Sequence, residues 1–345
     1  MKNFFSLTEA ELAATPELGA WAARRLYHWF YKLKRSDWPV ADISRSAQRW
    51  CEEHLSFERV RIHETIVSPD RTVKFVVALA DGKRVESVLL PFQGKYSLCL
   101  SSQVGCAMKC SFCYTGQAGL TRHLEAHEIV TQFLVAHDWL REHRPAEARL
   151  LNVVFMGQGE PLHNFDAVKR ACEILLSRSG LCLADHKITV STAGLLPGIE
   201  RFKAEMPSVN LALSLHAVDD EIRSELIPLN KTYPLRSMID LLDSIPQGKK
   251  RFVTYEYLLI EGLNDSDAQA LALAEFLRGR KALVSLIPYN PIPGVAYQRP
   301  SLERVERFRQ ILDERKVVAF IRGTKGDSIL AACGQLHTEK RMVRR

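Results

Sequence analysis

After Pro91 the sequence alternates short apolar runs with amphipathic stretches, and no other feature limits the possible folds as much. Strand-like runs cover 96–100, 150–156, 187–191, 209–215, 252–260 and 282–287, with a last one at 317–321. Between them 125–141, 165–177, 265–277 and 302–314 carry helical periodicity. This is the βα pattern of a parallel sheet or barrel, and six such units predict an α/β fold built as a partial (β/α)6 barrel of the TIM type. Ahead of it lies a small helical region. Thr8 and Glu11 make a capping box, and Leu12, Leu18, Trp21, Leu26, Trp29 and Phe30 recur at near-helical intervals. From Glu58 to Leu90 the pattern turns to β-rich runs separated by Pro69-Asp70 and Asp81-Gly82, which predicts a short antiparallel sheet. The expected organisation is a helical accessory domain at 1–57, a β extension at 58–92, the barrel at 93–322 and a C-terminal segment at 323–345.

Composition narrows the function classes. The chain has 345 residues, 46% hydrophobic and 25% charged, which suits a globular protein with one barrel-sized core and excludes disordered and fibrous classes. No run approaches the roughly 18 apolar residues of a membrane helix. Met1 to Leu7 also lacks a basic region followed by an apolar one, so a cytoplasmic protein without a membrane partner is expected. In a reducing compartment eight cysteines are too sparse for a disulfide scaffold, and their clustering points to metal or redox chemistry. The 47 Lys+Arg against 40 Asp+Glu leave a net charge of +7, gathered at the two ends. Arg24, Arg25, Lys32, Lys34 and Arg35 are interleaved with Trp29, Tyr31 and Trp38, and Lys340, Arg341, Arg344 and Arg345 close the chain. That pattern suits a polyanion surface; a solvated helix face over core aromatics accounts for it equally well.

The strongest local signal is Cys106-Ala-Met-Lys-Cys110-Ser-Phe-Cys113, just beyond the first barrel strand. A structural zinc would want a fourth ligand, and the nearest candidate, His123, lies outside the usual spacing. An iron-sulfur cubane held by three thiolates leaves one iron open to a substrate or cofactor. The remaining alternative is a chance cluster of buried thiols. Gly157-Gln158-Gly159-Glu160, Ser191, Ser214-Leu215-His216 and Asn290 all fall at or just beyond the C-terminal end of a predicted strand. In a βα barrel those ends share one mouth, where active sites are built. A glycine turn there lets backbone approach a ligand, and Glu160 can accept from an ammonium.

The triplet resembles the signature of radical S-adenosylmethionine (SAM) enzymes. The resemblance extends through Cys99-Leu-Ser-Ser-Gln-Val-Gly-Cys106, Phe155-Met-Gly-Gln-Gly-Glu160-Pro161, Ser191-Thr-Ala-Gly194, Ser214-Leu215-His216, Ile287-Pro-Tyr-Asn290-Pro and Gly326-Asp327-Ser-Ile-Leu-Ala-Ala-Cys333-Gly334-Gln335-Leu to the RlmN/Cfr adenosine methyltransferases. It implies a [4Fe-4S] cluster on Cys106, Cys110 and Cys113. It also implies two SAM per turnover, with SAM contacts from Gly159, Glu160, Ser191, Ser214, Leu215, His216 and Asn290. By the same resemblance Cys333 is methylated by one SAM, and the other yields a radical that takes hydrogen from that methyl group so that its carbon adds to an adenine ring. Glu86 then removes the ring proton, and Cys99 resolves the adduct by forming a disulfide with Cys333. Implied partners are 23S rRNA, for one branch also tRNA, and a low-potential electron donor such as flavodoxin or ferredoxin; a monomer is expected. Gly159-Glu160-Pro161 and Gln335-Leu336 look like the branch that methylates C2, whereas Thr115-Gly116 and Gly119-Leu120 look like the C8 branch. Tyr114 and Gln158 match neither. A zinc-holding RNA-binding protein is the alternative outside catalysis, and Cys51, Cys172 and Cys182 read as buried, inert thiols.

Overall fold

A computed structural model describes residues 1–35, 37, 43–147, 149–246 and 253–337. Trp38 and the basic tail Lys340, Arg341, Arg344 and Arg345 lie outside the described residues. At the N-terminus β1 (Lys2–Asn3) precedes α1 (Glu9–Ala13), α2 (Gly19–Tyr27) and α3 (Arg45–His54), and β1 pairs with β2 (Leu55–Ser56). The capping box forms: Thr8 N donates to the Glu11 carboxylate at 2.8 Å and Glu11 N to Thr8 Oγ1 at 3.2 Å. Such a cap is worth about 1 kcal/mol. Phe4, Phe5, Tyr27, Phe30 and Tyr31 bury their rings together, so Tyr31 is a core residue. Trp21, Arg24, Lys32 and Arg35 remain exposed, and the Arg35 guanidinium lies 4.5 Å from the Trp29 ring centre.

The next strands, β3 (Arg61–Val67), β4 (Val73–Ala78) and β5 (Arg84–Phe92), are antiparallel, and a tight turn at Gln93-Gly94 pairs β5 with β6 (Lys95–Cys99). A small hairpin of β7 (Gln103–Gly105) and β8 (Leu120–His123) follows, enclosing the cysteine triplet and α4 (Tyr114–Gln117). From β6 the sheet continues in parallel through β9 (Leu150–Phe155), β10 (Ile188–Thr192), β11 (Asn210–Ser214), β12 (Val253–Leu259), β13 (Ala282–Pro288) and β14 (Ala319–Ile321). The antiparallel strands therefore do not form a separate sheet. They are one wing of a single ten-stranded sheet ordered β14-β13-β12-β11-β10-β9-β6-β5-β4-β3. Helices α5 (Ala126–His143), α6 (Phe165–Leu176), α7 (Leu196–Glu205), α8 (Asp220–Leu226), α9 (Leu235–Asp243), α10 (Asp267–Phe276) and α11 (Leu302–Glu314) provide the crossovers. The arrangement is the expected partial barrel. The helical N-terminal part docks on α5 and α6, where Ser177 Oγ donates to Glu9 at 3.0 Å and Arg59 pairs with Asp138 at 3.1 Å. Among the described residues no helix is long and apolar enough to cross a membrane.

The hairpin fixes the triplet at its base. Gly105 has φ +77°, and a Cβ placed there would stand 1.8 Å from the Gly119 carbonyl oxygen, which also accepts from Cys106 N at 2.9 Å. Gly105→Ala must therefore open the hairpin or twist an unfavourable backbone. The expected cost is about 3 kcal/mol or more, read as a lower denaturation midpoint by urea titration; an unchanged midpoint would show that the neck is not tight.

Candidate active site

Two adjoining cavities occupy the barrel mouth and interior. The first is lined by Cys106, Cys110 and Cys113 together with Gly159, Glu160, Ser191, Ser214 and His216. The second, of about 450 Å³, is lined by Cys99, Asn290, Arg322 and Lys325 among others. Cys333 lies on the wall of both. The sequence places it 220 residues beyond Cys113, and the fold brings it between the triplet and Cys99.

The three thiols of the triplet are desolvated. Burial pushes Cys106 up to about 12 and raises Cys110 and Cys113, and like charges among the three add to it for Cys110. Buried thiolates of this kind need a cationic partner. Among the described residues no three His, Cys, Asp or Glu side chains close tightly enough on one point to hold a single ion. A mononuclear tetrahedral zinc would need its sulfurs about 3.8 Å apart. Three thiols on one cavity wall suit a cluster that presents a different iron to each sulfur. The donor set therefore fits the cubane better than zinc.

The strand ends supply the remaining wall. Gly159 has φ +103°, and a Cβ there would meet Gln103 at 2.5 Å. This glycine is needed because the turn packs against the chain after β6, and not only for close approach of a ligand. Glu160 is buried, its Oε1 accepting from Leu162 N at 3.1 Å and its Oε2 from Ala193 N at 2.8 Å. Burial outweighs those bonds and raises its carboxyl to about 7. His216 sits at φ +58° with its ring edge-on to Phe112, 4.8 Å between centres. Its Nδ1 accepts from Leu258 N at 3.1 Å, which leaves the proton on Nε2, and burial holds its pKa near 3, so it is neutral. Ser191 Oγ donates to Glu256 at 3.0 Å, and Glu256 pairs with Arg322 at 3.2 Å. Leu215 is not on the wall: its side chain is in the core, its N–H goes to the Glu256 carbonyl and its carbonyl to Arg223. Asn290 faces the second cavity and donates from Nδ2 to the Cys333 carbonyl at 3.1 Å.

Around Cys333 the chain is seated by several contacts. Tyr114 N donates to the Gly334 carbonyl at 2.8 Å, Thr115 Oγ1 to that of Leu336 at 2.6 Å, and the Tyr114 and His337 rings stack with centres 3.9 Å apart. Burial raises the Cys99 thiol to about 12 and also raises Cys333, while Arg322 pulls both down. Glu86 lines neither cavity. It is buried behind the C-terminal segment, with Oε1 on Lys74 at 3.1 Å and Oε2 accepting from His337 N at 2.8 Å. Desolvation raises its pKa against the pull of Lys74. Gln158 links this carboxylate's strand to the glycine turn, its Oε1 accepting from Glu86 N at 2.9 Å.

Nothing in the sequence singles out Lys74, Arg223, Glu256 or Arg322. The available signal was weak: each is a charge inside an apolar or structural stretch. Cys51 and Cys172 are buried as expected, but Cys182 is exposed, which corrects the reading of it as a core thiol.

Residues 100–274 match the Radical SAM superfamily. The chain is 40% identical over 99% of its length, and 95% of the relative's, to the dual-specificity RNA methyltransferase RlmN of Desulfotalea psychrophila. It is 39% identical to the protein of the same name from Granulibacter bethesdensis, over 100% of this chain and 89% of that one. A crystal structure of a radical SAM methyltransferase from Sphaerobacter thermophilus superposes with a TM-score of 0.90 at 40% identity, covering 98% of this chain and 100% of that one.

Glu160 offers a direct check on this geometry. Its folded pKa, about 7, lies above its ordinary 4.5, so between those values the folded apoprotein holds a proton that the unfolded chain has released. The stabilising contribution is full below pH 4.5, declines as pH rises and is gone above pH 7. About 3 kcal/mol should be lost across that window. Urea titrations of cluster-free protein should show this slope, and Glu160→Gln should flatten it; an equal slope in both proteins would place the proton elsewhere.

Proposed function

The chain belongs to the RlmN family of radical SAM RNA methyltransferases, and from that membership we propose that it methylates C2 of an adenosine in 23S rRNA and of an adenosine in tRNA, using Cys333 as a methyl carrier. The observation that carries this reading is the position of Cys333 on the shared wall of two cavities, one holding the cysteine triplet and the other Cys99. When bound, the [4Fe-4S] cluster supplies the electron that splits SAM into methionine and a 5′-deoxyadenosyl radical. Cys106, Cys110 and Cys113 would hold that cluster. Gly159 and Glu160 would take the amino end of SAM, with Ser191, Ser214, His216 and Asn290 completing the contacts. Leu215 contributes by shaping the loop. Two SAM are consumed per turnover, one to methylate Cys333 and one to activate the methyl group.

The residues explain how an electrophilic ring carbon is methylated. Cys333 presents a carbon that has lost hydrogen and can add to that position, which an ordinary methyl cation transfer cannot do. Glu86 accepts the ring proton; its raised pKa makes it a better proton acceptor than a solvated carboxylate. Once the adduct has given up its unpaired electron to the oxidised cluster, the Cys99 thiolate attacks the Cys333 sulfur, forming the S–S bond as the S–C bond to the nucleobase breaks, and the freed carbon leaves as an enamine that takes up a proton to become the methyl group. Burial disfavours the thiolate this step needs, and Arg322, which draws both thiols down, offsets part of that cost. RNA is gripped by the helical region 1–57, where Trp21, Arg24, Lys32 and Arg35 are exposed, and by the basic tail in segment 323–345. The β extension 58–92 carries Glu86, and the barrel 93–322 carries the cofactor site. The protein works as a cytoplasmic monomer with flavodoxin or ferredoxin as electron donor.

Cys333→Ala should reduce methylation to background, and anaerobic Cys99→Ala should accumulate a covalent RNA adduct at Cys333, read by mass spectrometry. Native-rate methylation by either variant would remove the carrier mechanism. Nucleoside analysis of 23S rRNA and tRNA from a deletion strain should show loss of 2-methyladenosine; loss of 8-methyladenosine would assign the C8 reaction instead.

A further inference from the structure

Arg223 is the largest fully buried side chain of the described residues. A guanidinium remains charged inside proteins, and a buried charge is normally matched by an opposite one. Here all four hydrogen bonds go to neutral acceptors. Nε donates to the Leu215 carbonyl at 3.1 Å, Nη1 to Asn230 Oδ1 at 2.6 Å, and Nη2 to the carbonyls of Ala193 at 2.9 Å and Ser214 at 3.1 Å. Among the described residues it forms no ion pair. Asp220, whose field reaches it, accepts instead from Asn230 Nδ2 at 2.8 Å and Leu235 N at 3.2 Å.

The cysteine loop, by contrast, packs on the end of the helix that bears it. Helix α8, which bears Arg223, ends at Leu226, whose carbonyl accepts from Ser111 N at 3.0 Å. Met108, Cys110 and Phe112 pack against the cluster of side chains that includes Leu226 and Ile227. A thiolate at Cys110 would act on Arg223 in the same direction as the Asp220 carboxylate. The three acceptor carbonyls lie at or just beyond the ends of β10 and β11, in the loops that carry Ser191, Ser214 and His216 on the first cavity.

The geometry points to Arg223 as the fixed counter-charge of the thiolate-bound cluster, a positioning residue that makes the cluster easier to reduce while clamping the two loops that line the SAM cavity. Reduction adds one electron to a group whose three thiolates already make it anionic, and it breaks no bond. A buried positive charge stabilises the reduced form more than the oxidised one. This inference rests on the cluster assignment made above, and iron content tests that assignment separately: wild-type protein that takes up no iron fails there, before Arg223 is at issue.

The experiment compares reconstituted wild-type, Arg223→Lys and Arg223→Gln in an anaerobic redox titration, with dithionite as electron source and electron paramagnetic resonance as readout. Lys keeps the charge and gives up most of the hydrogen bonds, whereas Gln gives up the charge. At the wild-type midpoint the ratio of reduced to oxidised cluster should fall about tenfold in Arg223→Gln, equivalent to about 59 mV for a one-electron couple. Arg223→Lys should stay within about twofold of wild type. Equal midpoints for Gln and wild type, or equal displacement of Lys and Gln, would overturn the counter-charge role. If Arg223→Gln does not fold, Arg223→Met replaces it under the same criterion, and loss of folding in both neutral variants marks a purely structural residue and also overturns it.

Discussion

The docking of residues 333–337 across the barrel mouth is the interaction on which the rest of the site depends. Neither cavity is complete without it, because Cys333 and Leu336 line both. The segment is held from several directions: by α4 through Tyr114 and Thr115, by the loop after β13 through Asn290, and by β5 through Glu86. Gln335 adds bonds to the Pro291 carbonyl at 3.0 Å and to Asp327 at 2.8 Å. Each such bond contributes only about 1 kcal/mol net. Their dispersion over three elements fixes the direction in which the thiol points, as well as its presence.

Charge inside the barrel follows a consistent arrangement. Glu86 is matched by Lys74 and Glu256 by Arg322, each pair buried or nearly so. Such pairs return little net stability against their desolvation, and their value lies in setting the electrostatic surroundings of whatever sits between them. Glu256 and Arg322 lie between Ser191 of the first cavity and the thiols of the second. Arg223 stands apart because among the described residues it makes no direct ion pair, and Asp220 reaches it only through Asn230.

Much of this was legible in the sequence. Buried parallel strands read as continuous apolar runs, so β6 and β9 to β13 could be placed, and α11 was recovered with its observed boundaries, 302–314. Helices α8 and α9 were not: at seven and nine residues they offer too few turns for a periodic signal, and α7 was missed as well at ten residues, a length at which α10 was legible. The merging of the antiparallel strands into the barrel sheet was also hidden, because strand pairing across a turn is a tertiary fact. The candidate site was legible where motifs lay at strand ends, as with Glu160 and His216. Gly159 lies on the wall of the first cavity, and its conformation also serves packing on Gln103, which the sequence does not reveal. Of the unpredicted residues, Lys74, Glu256 and Arg322 act through ion pairs with other strands or the segment after β14, and Arg223 through carbonyls at strand ends, and the sequence carries no mark of such pairings.

The wing formed by β3, β4 and β5 has a second connection to the rest of the molecule. Asp70 accepts from Gly326 N at 2.9 Å, Ser68 bonds Ser328 at 3.0 Å, Lys74 reaches the Leu330 carbonyl at 3.2 Å, and Lys325 returns to the Pro91 carbonyl at 2.8 Å. The same strands that lengthen the sheet thus form the berth for the polypeptide's far end. A barrel trimmed back to its parallel strands would keep its topology, its cysteine triplet and the bonds from Tyr114, Thr115 and Asn290, yet the stretch leading to Cys333 would lose its berth. The minimal catalytic unit of this protein is therefore defined by where the segment carrying Cys333 comes to rest, and it begins upstream of the barrel.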